Sequence, residues 1–80
     1  MEKIVEEIAV IIEEISDIPA DEIKEDSLII DDLELSSLEI LSIVSETMRK
    51  YSIKISGDEL LSIKTVGDFA QVVAGKLSDN

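Results

Sequence analysis

The side chains able to do chemistry in this sequence crowd into one stretch, Asp31-Asp32-Leu33-Glu34-Leu35-Ser36-Ser37-Leu38-Glu39. Carboxylates at Asp31, Asp32 and Glu34 are the material of general acid–base catalysis, and the serines are that of nucleophilic catalysis. Both lack support. The chain contains no histidine and no cysteine, so the usual activator of serine is absent, as is any thiolate, disulfide, or zinc or haem ligand. An acidic loop in a chain of 80 residues, with little room for a buried cleft, reads as solvated, and an autonomous enzyme is not expected. A calcium loop fails on spacing, because the stretch has neither alternating ligands nor a glycine at the sixth position. Weak, nonspecific divalent binding near Asp31 and Asp32 is the most it predicts.

Ser37 differs because of its place. Ser36-Ser37-Leu38-Glu39 is a capping box, with Ser36 at the N-cap and Glu39 reaching back from the third helical position. Ser37 is then the first residue of a helix, at the end of a long loop, where another enzyme can reach its hydroxyl. A phosphodiester attached there would lie against free N–H groups and the positive end of the macrodipole, worth roughly 0.3–1 kcal/mol. Asp31, Asp32 and Glu34 would oppose that gain. Spacing alone favours the reading in which the two serines do nothing beyond capping, a contribution of about 1 kcal/mol.

Several helices must position this turn. Ile4, Val5, Ile8, Ile11, Ile12 and Ile15 fall on one helical face, with Val10 alone pointing out among the glutamates. Ser16-Asp17-Ile18-Pro19 ends that helix. Residues 20–35 have no clean period: Asp21-Glu22-Ile23 suits a short turn, and Leu28, Ile29, Ile30 and Leu33 suit a loop dropping apolar side chains onto a core. A loop of that length in a small domain is usually functional. In the second helix Leu38, Ile40, Leu41, Val44, Met48 and Tyr51 project to an inner arc, with Ile43 on its boundary and Glu39, Ser42, Glu46, Arg49 and Lys50 outside. Ile53-Lys54-Ile55 reads as an extended link, and Ser56-Gly57-Asp58-Glu59 as a second capping box opening a brief helix through Leu60 and Leu61. Thr65 with Asp68 opens the last helix, whose inner residues are Val66, Phe69, Ala70, Val72, Val73 and Leu77; the tail Ser78-Asp79-Asn80 is expected to fray. The expected architecture is all-α: a small four-helix bundle, three long helices plus a short one, with a long first loop, in a single domain over residues 1–80.

Composition narrows the partners. Nineteen acids against seven bases give a formal charge of −12, which repels a phosphate backbone, so nucleic acid is a poor partner and a basic protein surface a good one. The longest apolar run, Ile8 to Ile12, is far short of the roughly 20 residues that span a bilayer, and the start lacks the features of a signal peptide, so a cytoplasmic protein is expected. Residues 21 to 39 hold eight acids and one base, a local charge of −7, a field that steers cationic partners and weakens with salt.

The stretch Asp32-Leu33-Glu34-Leu35-Ser36-Ser37-Leu38-Glu39-Ile40 resembles the acyl carrier protein signature, commonly Asp-Leu-Gly-x-Asp-Ser-Leu, whose serine carries 4′-phosphopantetheine. The similarity continues through Tyr51-Ser52-Ile53-Lys54-Ile55, which resembles the family's aromatic-x-Ile-x-Ile segment. It extends to Thr65-Val66-Gly67-Asp68-Phe69, similar to the Thr-Val opening of the last helix, so it covers nearly the whole chain. Two positions depart: Glu34 replaces the usual glycine, and Ser36 replaces the aspartate before the modified serine. The second keeps the cap, since Asp and Ser are comparable there, but removes a charge where the family's transferase docks.

The resemblance implies a non-enzymatic carrier for fatty-acid, polyketide or related synthesis. Ser37 would hold the covalent arm, taken from coenzyme A, and acyl groups would ride on it as thioesters. The implied partners are a phosphopantetheinyl transferase (holo-acyl-carrier-protein synthase) and basic-surfaced acyl transferases or ketosynthases. They would meet a monomer at Glu34, Glu39 and Glu46, with Leu35, Leu38 and Ile43 as apolar neighbours. In this family the aliphatic core also admits the acyl chain. The two departures leave open an unmodified, carrier-like interaction module, and nothing in the sequence separates a fatty cargo from an aminoacyl or other group.

Overall fold

The computed structural model describes residues 2–78, so of the expected frayed tail Asp79 and Asn80 lie outside the described residues. The long helices are α1 (Glu2–Ser16), α2 (Ser37–Tyr51) and α4 (Val66–Ser78); α3 (Gly57–Leu61) is short, and a 3-10 turn occupies Ala20–Glu22. Helix α1 packs against both α2 and α4. Its apolar face places Ile8, Ala9, Ile11 and Ile12 in the core while Val10 faces solvent, as its period requires. Ser16 ends it, its hydroxyl donating to the Ile12 carbonyl, and Asp17 turns the chain at φ 65°.

Three capping boxes fix where the other helices begin. Ser36 with Glu39 opens α2 and Ser56 with Glu59 opens α3, each serine Oγ accepting from the glutamate N–H and each carboxylate from the serine N–H. Thr65 and Asp68 do the same for α4: Asp68 N–H donates to Thr65 Oγ1 at 3.0 Å, and Asp68 Oδ2 accepts from the N–H of Lys64 and of Thr65. These two hydrogen bonds from backbone N–H groups hold the Asp68 carboxyl below its ordinary range.

Helix α2 is rotated from the expected projection. Its inward line is Ile40, Ile43, Val44, Thr47, Met48 and Tyr51, spaced i, i+3, i+4, i+7, i+8, i+11, whereas Leu38 and Leu41 are exposed. Thr47 is the reason: it is fully buried, its hydroxyl donating to the Ile43 carbonyl at 2.7 Å, so a residue counted as polar serves as core. At the far end of α2 the Tyr51 hydroxyl donates to the Glu7 carboxylate of α1, and burial together with that anion pushes the phenol above its ordinary value.

The long segment before α2 is tied down where it passes α4. Leu28 bridges Thr65, Ile29 N–H donates to the Lys64 carbonyl, and the carbonyls of Ser27 and Glu25 accept from Val66 and Gly67. Of its apolar residues Ile23 and Ile29 are buried and Leu33 half-buried, but Leu28 and Ile30 face solvent, contrary to their expected part in the core. In α4, Val66, Phe69, Ala70 and Val73 are buried and Val72 is half-buried, while Leu77 is exposed.

Candidate functional site

At the start of α2 the capping box divides the backbone N–H groups unequally. Ser36 N–H is taken by Glu39 Oε1 at 2.9 Å and Glu39 N–H by Ser36 Oγ at 3.2 Å. The N–H groups of Ser37 and Leu38 lie in the first turn, where no carbonyl precedes them to accept. Ser37 is exposed, and among the described residues no hydrogen bond engages its hydroxyl. The two serines thus have separate jobs. Ser36 spends its oxygen on the helix, and Ser37 presents its own to solvent above two unsatisfied donors, an arrangement that suits an esterified phosphate.

The approach to this turn is built from tight turns. Asp32 and Leu33 N–H donate to the Leu28 carbonyl, Glu34 N–H to that of Ile30, and Leu28 N–H to the Asp32 carboxylate at 2.8 Å. Asp32 therefore holds the loop although it is exposed, as are Asp31 and Glu34. Among the described residues no group of three or more Asp or Glu side chains is arranged to hold a metal ion. Glu34 adopts φ 52°, in the left-handed region that a side chain disfavours. This is the position at which the acyl carrier signature has glycine.

Around Ser37 the expected neighbours separate into two sets. Leu38 is 78% exposed and Glu46 is exposed beside Arg49, with which it forms an ion pair along the helix; Glu39 is half-buried and held in the cap. Leu35 and Ile43 are corrected: both are buried, so neither is an apolar neighbour on the outer face. Leu35 closes the loop over the core, and Ile43 belongs to the rotated inward line. Leu41, assigned inward by spacing, is exposed one turn after Leu38.

Leu35 and Ile40, which straddle Ser37 in sequence, line an apolar cavity of about 180 Å³ whose walls also include Ile12, Ile29, Val44 and Phe69. Sequence reasoning named an aliphatic core and missed the cavity itself. Its signal was dispersed over four helices and the loop, and only the fold assembles it.

Comparison with known proteins places this geometry in context. The family described as "Phosphopantetheine attachment site" matches residues 6–73. An acyl carrier protein of Rhodococcus erythropolis is 33% identical over 72 residues, covering 90% of this chain and 79% of that protein. One from Acidothermus cellulolyticus is 33% identical, covering 91% and 87%. The meromycolate extension acyl carrier protein of Mycobacterium leprae is 40% identical over 67 residues, covering 84% of this chain but only 58% of its own length.

Proposed function

The chain belongs to the acyl carrier protein family, and on that premise we propose that Ser37 is the residue through which it carries 4′-phosphopantetheine. The observation that carries the assignment is the division of labour at the α2 N-terminus: Ser36 is committed to the cap and Ser37 is exposed with its hydroxyl free. As a phosphodiester oxygen, Ser37 Oγ would hold the anion beside the Ser37 and Leu38 N–H groups, favoured by roughly 0.3–1 kcal/mol. The arm supplies a terminal thiol for thioester linkage to acyl groups, which explains how a chain without cysteine takes part in that chemistry. The protein does not catalyse. It presents cargo to separate enzymes, as carriers of this family do.

The partners that read this surface are a phosphopantetheinyl transferase and acyl-handling enzymes with basic faces. The acidic segment 21–39 steers them, Leu38 and Leu41 give them an apolar footing, and Glu46 offers a charge on the same outer side of α2. Association should weaken as salt rises.

The test is the intact mass after incubation with coenzyme A and a broad-specificity phosphopantetheinyl transferase, with Ser37→Ala and Ser36→Asp in parallel. One phosphopantetheine added to the parent and none to Ser37→Ala is the expected result. Addition only to Ser36→Asp would mean that the missing charge redirects transferase choice. No addition to either would favour an unmodified docking module.

A further inference from the structure

Met48 holds the segment that hands α2 on to α3. Its carbonyl accepts from the N–H groups of Ser52 and, at 3.0 Å, Ile53, and its Sδ accepts from Ile55 N–H at 3.3 Å. Of residues 52–55, which lead to the Ser56 cap, three are thus tied to Met48. Helix α3 buries none of its own residues, so its place depends on this link, on the half-buried Leu60 and on the Lys76–Glu59 ion pair at 2.8 Å.

The sulfur is the weak member of that set. A thioether is a poor acceptor, and oxidation to a sulfoxide moves the acceptor from sulfur to a new oxygen. An N–H···O bond spans about 2.9 Å, so within the 3.3 Å between Ile55 N and Met48 Sδ only about 0.4 Å remains for the S–O bond, shorter than any covalent bond. Oxygen on the lone pair that faces Ile55 must therefore push the link away. Oxygen on the other lone pair leaves that N–H facing a sulfur that has become positive. Met48 packs against the core but is only half-buried, which leaves it open to a small oxidant.

We propose that Met48 is an oxidation site, and that its sulfoxide releases the link between α2 and α3. The oxygen donor is a peroxide. A sulfur lone pair attacks one oxygen of hydrogen peroxide, the O–O bond breaks, and the departing hydroxide takes the proton of the sulfur-bound hydroxyl and leaves as water. Sulfur is oxidised by two electrons and the peroxide is reduced by two. A dithiol returns the thioether, becoming a disulfide as the oxygen leaves in water, so the change is reversible. The site goes beyond the carrier reading and does not depend on it, since Ser37 stands about 17 Å away along α2.

The experiment treats the full chain with hydrogen peroxide, locates the added oxygen by tandem mass spectrometry, and follows amide hydrogen exchange residue by residue by NMR. The sequence holds sulfur only in Met1 and Met48, so Met48→Leu, close in volume, takes oxygen at Met1 alone and serves as the control. In the parent, oxygen on Met48 should speed exchange at Ile55 about three- to tenfold, the share of one hydrogen bond, while Ile53, whose acceptor is a carbonyl, changes by less than about twofold. Met48→Leu should show the fast Ile55 exchange before peroxide and no further change after it. Methionine sulfoxide reductases with a dithiol should restore the parent's rate.

Oxygen on Met1 with Met48 left untouched in the folded chain would overturn the proposal. So would an Ile55 rate that neither oxidation nor Met48→Leu changes, or rates that rise in step at every amide, which is general loosening rather than release of one link. Transfer of phosphopantetheine to Ser37 enters none of these readings, so its failure would remove the carrier reading and leave this proposal standing.

Discussion

Glu34 holds a backbone angle that a side chain disfavours. Its φ of 52° costs an L-residue roughly 1–2 kcal/mol, which glycine does not incur. Against that, glycine has more freedom to lose from the unfolded chain, about 0.5–1 kcal/mol. Glu34→Gly should therefore stabilise the fold by about 0.5–1 kcal/mol. For a chain of 80 residues the unfolding entropy near the midpoint is such that 1 kcal/mol corresponds to about 6 °C, so the expected gain in Tm is about 3–6 °C. The substitution also removes one acid from a segment of charge −7, and that effect must be separated. Glu34→Gln removes the charge at the same backbone angle. Melting in about 1 M salt, where the Debye length is about 3 Å, suppresses the charge contribution. In that salt, thermal unfolding followed by circular dichroism should show the gain for Glu34→Gly and none for Glu34→Gln or Glu34→Ala. Equal gains for all three would assign the effect to charge or side-chain crowding, and an unchanged Tm for Glu34→Gly would refute the strain argument.

Two further predictions test the joints that hold the site in place. A Cβ on Gly67 would stand 2.7 Å from Glu25 Cγ and 3.0 Å from the Glu25 carbonyl, whereas one on Gly75 would meet nothing within 4 Å. Gly75→Ala should therefore raise Tm, by up to about 1 kcal/mol of helix propensity, while Gly67→Ala should lower it as crowding of about 1–3 kcal/mol outweighs the same gain; equal rises in both would show that the loop yields freely. Asp68 has its folded-state pKa below the ordinary 3.8, because of the Lys64 and Thr65 N–H groups. The stability it adds is present above that value and is lost as pH falls through the lower folded value, so below about pH 4 the parent should lose stability more steeply than Asp68→Asn, whose amide oxygen can still cap. Parallel acid melting curves for the two would remove Asp68 from the account.

Helix starts were legible because a capping box is local: Ser36 and Glu39, Ser56 and Glu59, and Thr65 and Asp68 satisfy one another within four residues, and the pattern is in the sequence order itself. Faces were less legible where one residue contradicted its type. Thr47 returns its hydroxyl to the Ile43 carbonyl and buries its methyl, and discounting it swung the inferred face of α2 toward Leu38 and Leu41. The loop was least legible, because its order comes from pairing with a segment far along the chain, Glu25 to Ile29 against Lys64 to Gly67. No period within residues 20–35 encodes that. The positive φ of Glu34 was equally hidden, although the family's glycine at that position is its signature in other chains.

The rotation of α2 also bears on function. If Leu38 and Leu41 had faced inward, the outer face would have been purely polar, and partner docking would rest on charge alone. With both exposed and the inward line shifted to Ile40, Ile43 and Val44, one helix presents an apolar patch to solvent and walls the cavity on its other side. Ser37 stands at the turn where these faces meet, between Leu35 and Ile40 of the wall and directly before Leu38 of the footing. A partner that pressed on Leu38 and Leu41 would load the same helix whose inner residues wall the cavity. Leu41→Ser should slow loading by the phosphopantetheinyl transferase, read as the rate of the mass gain, while leaving Tm nearly unchanged, because the side chain it removes is more than half exposed; an unchanged loading rate would take Leu41 out of the docking face.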